Sequence, residues 1–272
     1  MVEKTKTTNS YWRERNKPYR PGQTEPFKLS RSKIELFMQC PRCFWLDARL
    51  KIKRPNGPPF NINKAIDELF KKEFDEHRRA GTQHPLQQKF KIPARPFEHK
   101  DMDQWRHNFT GVFTVHEPTN FHVFGAVDDV WVNDNDELMV VDYKATAKAE
   151  PVSSLGPVGT WYDGYRRQME IYQWLLRQNG FSVSDTGYFV YATGDMNADG
   201  FNDTLTFVTH VFPHTGTADW VDETLQQMKS CLDGDMPEVG TAAMGGECDY
   251  CAYARSRTML TLDAIKHRTG GK

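Results

Sequence analysis

The chain has 272 residues, a formal net charge of -1 and a mean hydropathy of -0.69. That length supports a real hydrophobic core, and the near-neutral balance excludes a globally basic nucleic-acid coat, although not a local basic groove. No apolar run approaches the ~18 residues a membrane helix needs, and the basic N-terminus lacks the apolar segment of a secretory signal, so a cytoplasmic location is expected.

Residues 1–27 are polar and read as a flexible lead-in. Ser32 and Glu35 have capping-box spacing and predict a short helix that stops at Pro41. A second helix is expected from Arg42 to about Leu50, ended by the breaker stretch at residues 54–59. Residues 63–79 give the clearest early helix, with Ala65, Ile66, Leu69, Phe70 and Phe74 at helical spacing. Residues 80–120 read as irregular, with short strands at 90–92 and 111–116.

The most informative stretch is residues 121–146. Phe121, Val123, Phe124, Val127, Val130, Trp131 and Val132 predict one strand, and residues 133–136, all Asn or Asp, predict a tight turn. Leu138, Met139, Val140 and Val141 open a second, buried strand. Asp142 and Lys144 sit two apart and so share a face of it, and a hairpin around residues 133–136 sets Asp128 opposite 141 or 142. Three charges then meet at one end of an apolar sheet. Burying charge is costly unless it is paired or binds a metal.

Residues 147–159 read as a loop, and 160–179 as a long aromatic-rich helix that carries Gln168 and Tyr172 one turn apart. Strands are expected at 186–192 and 205–212. Between them, residues 195–200 resemble half of a calcium-binding loop, but Thr206 stands at the twelfth position and the flanks are strands, so a hairpin turn is the reading. A helix follows at 219–231, then a piece of short elements.

There are five cysteines in a chain with no export signal, which argues against a disulfide scaffold. Cys40 and Cys43 form one CxxC pair, and Cys248 and Cys251 another. Such pairs suit a tetrathiolate zinc or iron–sulfur site, against the alternative of four partly buried thiols.

In order, these motifs are a helix with Asp67, Gly125-Ala126-Val127-Asp128, Asp142-Tyr143-Lys144, and a helix with Gln168 and Tyr172. The set resembles the PD-(D/E)XK nuclease superfamily, in its RecB-like branch, over roughly residues 28–256. The resemblance implies an α/β, restriction-endonuclease-like core: a central mixed sheet flanked by helices. It implies a Mg²⁺- or Mn²⁺-dependent deoxyribonuclease, an exonuclease acting on DNA ends or single strands in repair or recombination, with a helicase or recombination partner and no membrane. The alternatives are a non-catalytic nucleic-acid-binding module and a structure-specific endonuclease.

By the same resemblance, Asp67, Asp128, Asp142 and the Tyr143 carbonyl would hold the metal. Lys144, Gln168 and Tyr172 would serve the chemistry beside the two acids Asp128 and Asp142, and Asp129 would do neither. Asp67 stands where the family pattern has a His. The resemblance also implies that Cys40, Cys43, Cys248 and Cys251 bind a 4Fe–4S cluster or Zn²⁺, although a third C-terminal cysteine expected near Arg257 is missing. Residues 28–54 and 240–256 would then form a cysteine-clipped cap, and residues 257–272 a basic tail.

Overall fold

The computed structural model describes residues 17–57, 60–240 and 246–269. Most of the expected lead-in therefore lies outside the described residues. Its last part packs: Tyr19 is 2% exposed and its N–H reaches the carbonyl of Ala48.

Strand β1 (Phe27–Ser30) runs into helix α1 (Arg31–Gln39), and α2 (Pro41–Leu50) follows at once. Pro41 suits the first turn of α2, where its missing N–H leaves no bond unmade. The expected Ser32 capping box is absent. Ser30 is the N-cap, and Glu35 instead receives Arg167 through both oxygens, at 2.8 and 2.9 Å. Helix α3 (Asn61–Ala80) buries Phe70 and Phe74. Residues 80–120 hold more structure than the sequence suggests: α4 (Pro85–Lys89), β2 (Ala94–Pro96), α5 (Met102–Trp105) and β3 (Val112–His116). The strand expected at 90–92 is not formed. Those residues close α4 and turn, with Lys91 at positive φ.

The single strand expected from 121 to 132 is two. β4 (Phe121–Gly125) lies between β1 and β3 in a three-stranded sheet. After a bend at residues 126–128 the chain enters β5 (Asp129–Asn133), in a five-stranded sheet of order β2-β5-β6-β7-β8. β6 (Leu138–Lys148) pairs antiparallel with β5, and Asp129 faces Val141 across that hairpin. β6 also pairs parallel with β7 (Thr186–Asp195), which pairs antiparallel with β8 (Phe207–Thr215). Asp195 ends β7, and residues 196–200 fall in the β7–β8 connection.

Between β6 and β7, helix α6 (Asp163–Gln178) buries almost its whole second half, from Gln168 to Leu176 apart from Glu170. Its Met169, Ile171, Leu175 and Leu176 join the main core beside Val130, Val140 and Phe189. On the opposite face of the five-stranded sheet, Phe70 and Phe74 of α3 pack with Trp131, Tyr143 and Val190. The sheet is thus a layer between α6 and α3, as alternation along β6 requires. Helix α7 (Trp220–Asp233) completes the main core. The last helix, α8 (Asp249–Thr269), takes the place of the short elements expected there and runs on into the residues read as a basic tail, and beyond Ala252 its described side chains are exposed.

Candidate active site and cysteine centre

β6 is longer than its partner. Only residues 138–141 pair with β5, so from Asp142 onward the β5-side edge of β6 is open while β7 covers the other edge. An open edge presents unpaired backbone groups. Two side chains take them. The Asp128 carboxylate accepts the N–H of Tyr143 at 2.9 Å, and the Asn63 amide of α3 donates to the carbonyl of Ala145 at 3.0 Å. In a strand the N–H and C=O of one residue point to the same side. The Tyr143 carbonyl therefore lies on the Asp128 edge as well.

The bend at 126–128 puts Asp128 there. It is held by the N–H of Val127 to the carbonyl of Trp105 at 3.1 Å and by Arg106 Nε to the carbonyl of Asp128 at 3.1 Å. Gly125 sets up the approach. A side chain at that position would meet the Tyr172 ring at 2.5 Å and Cβ of Arg31 at 3.3 Å.

Asp142 and Lys144 point toward α6. Asp142 is fully buried, accepts Gln168 Nε2 at 2.6 Å and pairs with the Lys144 ammonium. Gln168 also reaches the Tyr172 hydroxyl at 3.3 Å, and Arg31 bonds that hydroxyl too. Asp67, in the second turn of α3, lines the same cleft as Lys144. One of its oxygens pairs with Lys71 at 2.7 Å, and the other is buried without a hydrogen-bond partner.

The electrostatics follow from that crowding. Burial, then Asp142 and then Asp67 push the Asp128 carboxyl up to about 8. Burial pulls the Lys144 ammonium down, but Asp142 and Asp128 outweigh it and leave it above its ordinary value. Lys144 is therefore a cation at neutral pH, suited to orienting or stabilising charge rather than to taking a proton. A buried unpartnered Asp67 oxygen, a carboxyl raised by two neighbouring acids and an open carbonyl edge suit a hard divalent cation, which prefers oxygen ligands. The three carboxylates are less tightly gathered than the cysteines described below.

Asp129 points through the sheet to the α3 face. It is 0% exposed and meets Arg78, Arg106 (2.9 Å), the Tyr143 hydroxyl (2.9 Å) and the N–H of Val130 (2.8 Å).

The second cluster lies where α1 meets α2. Cys40 caps α2 through its sulfur, which accepts the N–H of Cys43 at 3.4 Å. The sulfurs of Cys40 and Cys251 are 3.8 Å apart, those of Cys43 and Cys248 3.7 Å, and those of Cys43 and Cys251 3.6 Å. All four lie within 4.8 Å of one another, close enough to hold one metal ion. Gly240 makes room for them, since a side chain there would meet the Cys251 sulfur at 2.5 Å. Arg54 donates to the Cys248 sulfur at 3.2 Å and lies over the Tyr250 ring. Burial pushes the Cys43 thiol up to about 11. Burial works the same way on Cys248, but the N–H of Cys251, the Cys43 thiol and Arg54 bring it down to about 7. Cys231 lies apart on α7, with its thiol near the carbonyl of Pro41.

The structure thus groups Asp67, Asp128, Asp142, the Tyr143 backbone, Lys144, Gln168 and Tyr172, of which Asp67, Tyr143 and Lys144 line the cleft and the others lie buried or half-buried beside it, and it groups Cys40, Cys43, Cys248 and Cys251 at another place. Sequence reasoning missed Asn63 at the cleft, Arg31 on Tyr172 and Lys71 on Asp67, and Arg54 as a partner of the Cys248 sulfur. Arg54 appears in sequence only as one member of a basic run. Arg31 carries no signal beyond lying one residue before Ser32.

A family model of the PD-(D/E)XK nuclease superfamily matches residues 57–256. No curated protein matches the chain. Among solved structures it is similar to one described as "Crystal structure of SSO0001", at 12% identity over 79% of this chain and 80% of that chain, with a TM-score of 0.36. A likeness that weak carries no argument.

Proposed function

The chain belongs to the PD-(D/E)XK nuclease superfamily, and on that premise we propose that it is a metal-dependent deoxyribonuclease acting at DNA ends or on single strands, in repair or recombination. The observation that carries this reading is the meeting of Asp128, at the open edge of β6, with Asp142 and Lys144 on the adjoining α6 face. Asp67, Asp128, Asp142 and the Tyr143 carbonyl would hold Mg²⁺ or Mn²⁺. When bound, such a cation offsets charge on the phosphate and makes water a better nucleophile.

The chain's own groups have distinct tasks. Lys144, kept cationic by two acids, would stabilise charge on the phosphate oxygens or orient the attacking water. Gln168 fixes the rotamer of Asp142, and Tyr172 fixes Gln168. Both are positioning residues in this reading. Asp129 takes no part, because its charge is closed by two arginines on the far face.

At the cysteines we infer one zinc ion rather than a 4Fe–4S cluster. Tetrahedral zinc at about 2.3 Å from each sulfur sets the sulfurs about 3.8 Å apart. Three of the six separations, at 3.6 to 3.8 Å, support that size, and all six stay within 4.8 Å. In a cubane each thiolate binds a different iron, so the four sulfurs surround the whole cluster and stand farther apart.

End-labelled single-stranded, duplex and circular DNA, incubated with Mg²⁺, Mn²⁺ or EDTA beside Lys144→Ala, test the nuclease reading. Cleavage is expected only with the metal and only with Lys144. Cleavage that survives EDTA or the substitution would overturn the mechanism, absence of cleavage in every arm would favour a non-catalytic binding module, and loss of the circle would point to an endonuclease. Metal analysis and a visible spectrum of protein purified without oxygen test the centre: about one zinc and no iron–sulfur band are expected.

A further inference from the structure

One wall of the catalytic cleft has no task in the chemistry proposed above. The cleft encloses about 260 Å³ and is lined by Lys144, Lys148 and Asp67 and, across from them in the chain, by Trp161, Tyr162 and Tyr165. The Trp161 ring stacks on Tyr162, with centroids 3.7 Å apart and planes at 27°, and meets Tyr165 edge-on at 5.3 Å. Trp161 nonetheless stays 64% exposed.

This wall is braced. Gly156, at φ +76°, lets the chain lie flat against the Tyr162 ring, where any side chain would collide with it. Asp163 accepts the N–H of Gly159 at 2.8 Å, and Arg166 ties the carbonyl of Gly156 (2.5 Å) to Asp163 (2.7 Å). A single exposed aromatic needs no explanation, but a stacked set lining a cleft, with the adjoining loop and helix start tied by hydrogen bonds, is a platform. Cations stand beside it: the Lys144 ammonium is 4.4 Å from the centre of the Tyr165 ring.

An aromatic face next to lysines matches the chemistry of an unpaired nucleotide, whose base stacks while its phosphate is held by charge. A base inside a duplex has both faces covered by its neighbours and cannot use such a surface. We propose that Trp161, backed by Tyr162, is a stacking site for one unpaired nucleobase of a single strand or frayed DNA end. The stack sets the adjoining phosphate toward Lys144 and the acids, a placement that rests on the nuclease reading, whereas the stacking itself does not.

The test is binding of a fluorescein-labelled oligodeoxythymidylate to the full chain, followed by anisotropy in buffer without added divalent cations. An abasic strand of the same length and a blunt duplex are the comparison probes. Trp161→Ala is expected to weaken binding of the thymidylate about tenfold, and Trp161→Phe to keep most of it. The abasic strand should bind weakly and not respond to Trp161→Ala, and the melting temperature should be unchanged, since Trp161 is exposed. Equal binding by wild type and Trp161→Ala, or an equal loss on the abasic strand, overturns the proposal. The expected pattern in a chain that cuts no DNA with Mg²⁺ upholds the stacking site and overturns the nuclease reading alone.

Discussion

Asp128 and Asp129 are neighbours in the chain and stand in opposite electrostatic surroundings. On the α3 face, Asp129 is enclosed by two guanidinium groups, a phenol and the N–H of Val130, so its charge is answered within the protein. On the open-edge side, Asp128 accepts one backbone N–H and faces Asp142 and Asp67. A buried charge that the fold itself compensates is architecture. One that the fold leaves short of compensation marks where a cation from outside is needed.

The largest effect is expected on the compensated side. Asp129→Ala leaves Arg78 and Arg106 buried with Asp75 as their remaining acid. Breaking a buried pair this way costs about 3–5 kcal/mol. Chemical denaturation would read that loss directly, and a cost below about 1 kcal/mol would break the contrast. On the other side, Asp142→Asn is expected to lower DNA cleavage by about a hundredfold to a thousandfold, as loss of a key electrostatic group does. Its cost in melting temperature should be smaller than that of Asp129→Ala, because it also relieves repulsion with Asp128.

The pH dependence sharpens the same comparison. The Asp128 carboxyl, raised to about 8 from an ordinary 3.8, keeps its proton in the fold where the unfolded chain has lost it. Without a divalent cation, its contribution to stability is therefore lost as pH rises from about 4 to about 8. Added Mg²⁺ should raise the melting temperature more at about pH 8 than at about pH 5. Thermal melts at both pH values, with Asp128→Asn as the reference, would show it, and an equal Mg²⁺ gain at the two would count against a metal at Asp128. The smallest effect belongs to Gly125→Ala. It forces a methyl against Tyr172 at 2.5 Å, an overpacking cost of about 1–3 kcal/mol in the melt, with slower cleavage as Gln168 follows Tyr172.

Much of this was legible in the residues. The turn at residues 133–136 fixes the β5–β6 hairpin, and period-two alternation separates Asp142 and Lys144 from Tyr143. Four-residue spacing on α6 puts Gln168 and Tyr172 on one side. Other readings failed for physical reasons. Ser32 and Glu35 have capping-box spacing, but Ser30 opens the helix two residues earlier and Arg167, far away in sequence, takes Glu35. Helix α8 escaped notice because its apolar residues, Met259, Leu260, Leu262 and Ile265, form no stripe, and all are exposed. Trp161, Tyr162 and Tyr165 read as members of one aromatic-rich helix over 160–179, whereas Trp161 and Tyr162 precede the helix and Trp161 faces solvent.

By itself, the sequence determined the local order of acids, lysine, glutamine and tyrosine, and which of them share a face, because periodicity is a property of neighbouring residues. Only the tertiary structure decided that the chain changes sheets at residues 126–128, which gives Asp128 the open edge of β6. It alone showed that Arg78 and Arg106 close the charge of Asp129, and that cysteines some two hundred residues apart come within 4.8 Å. Those outcomes depend on long-range packing, where distant segments meet to bury apolar surface, and no local pattern encodes which charges will meet there.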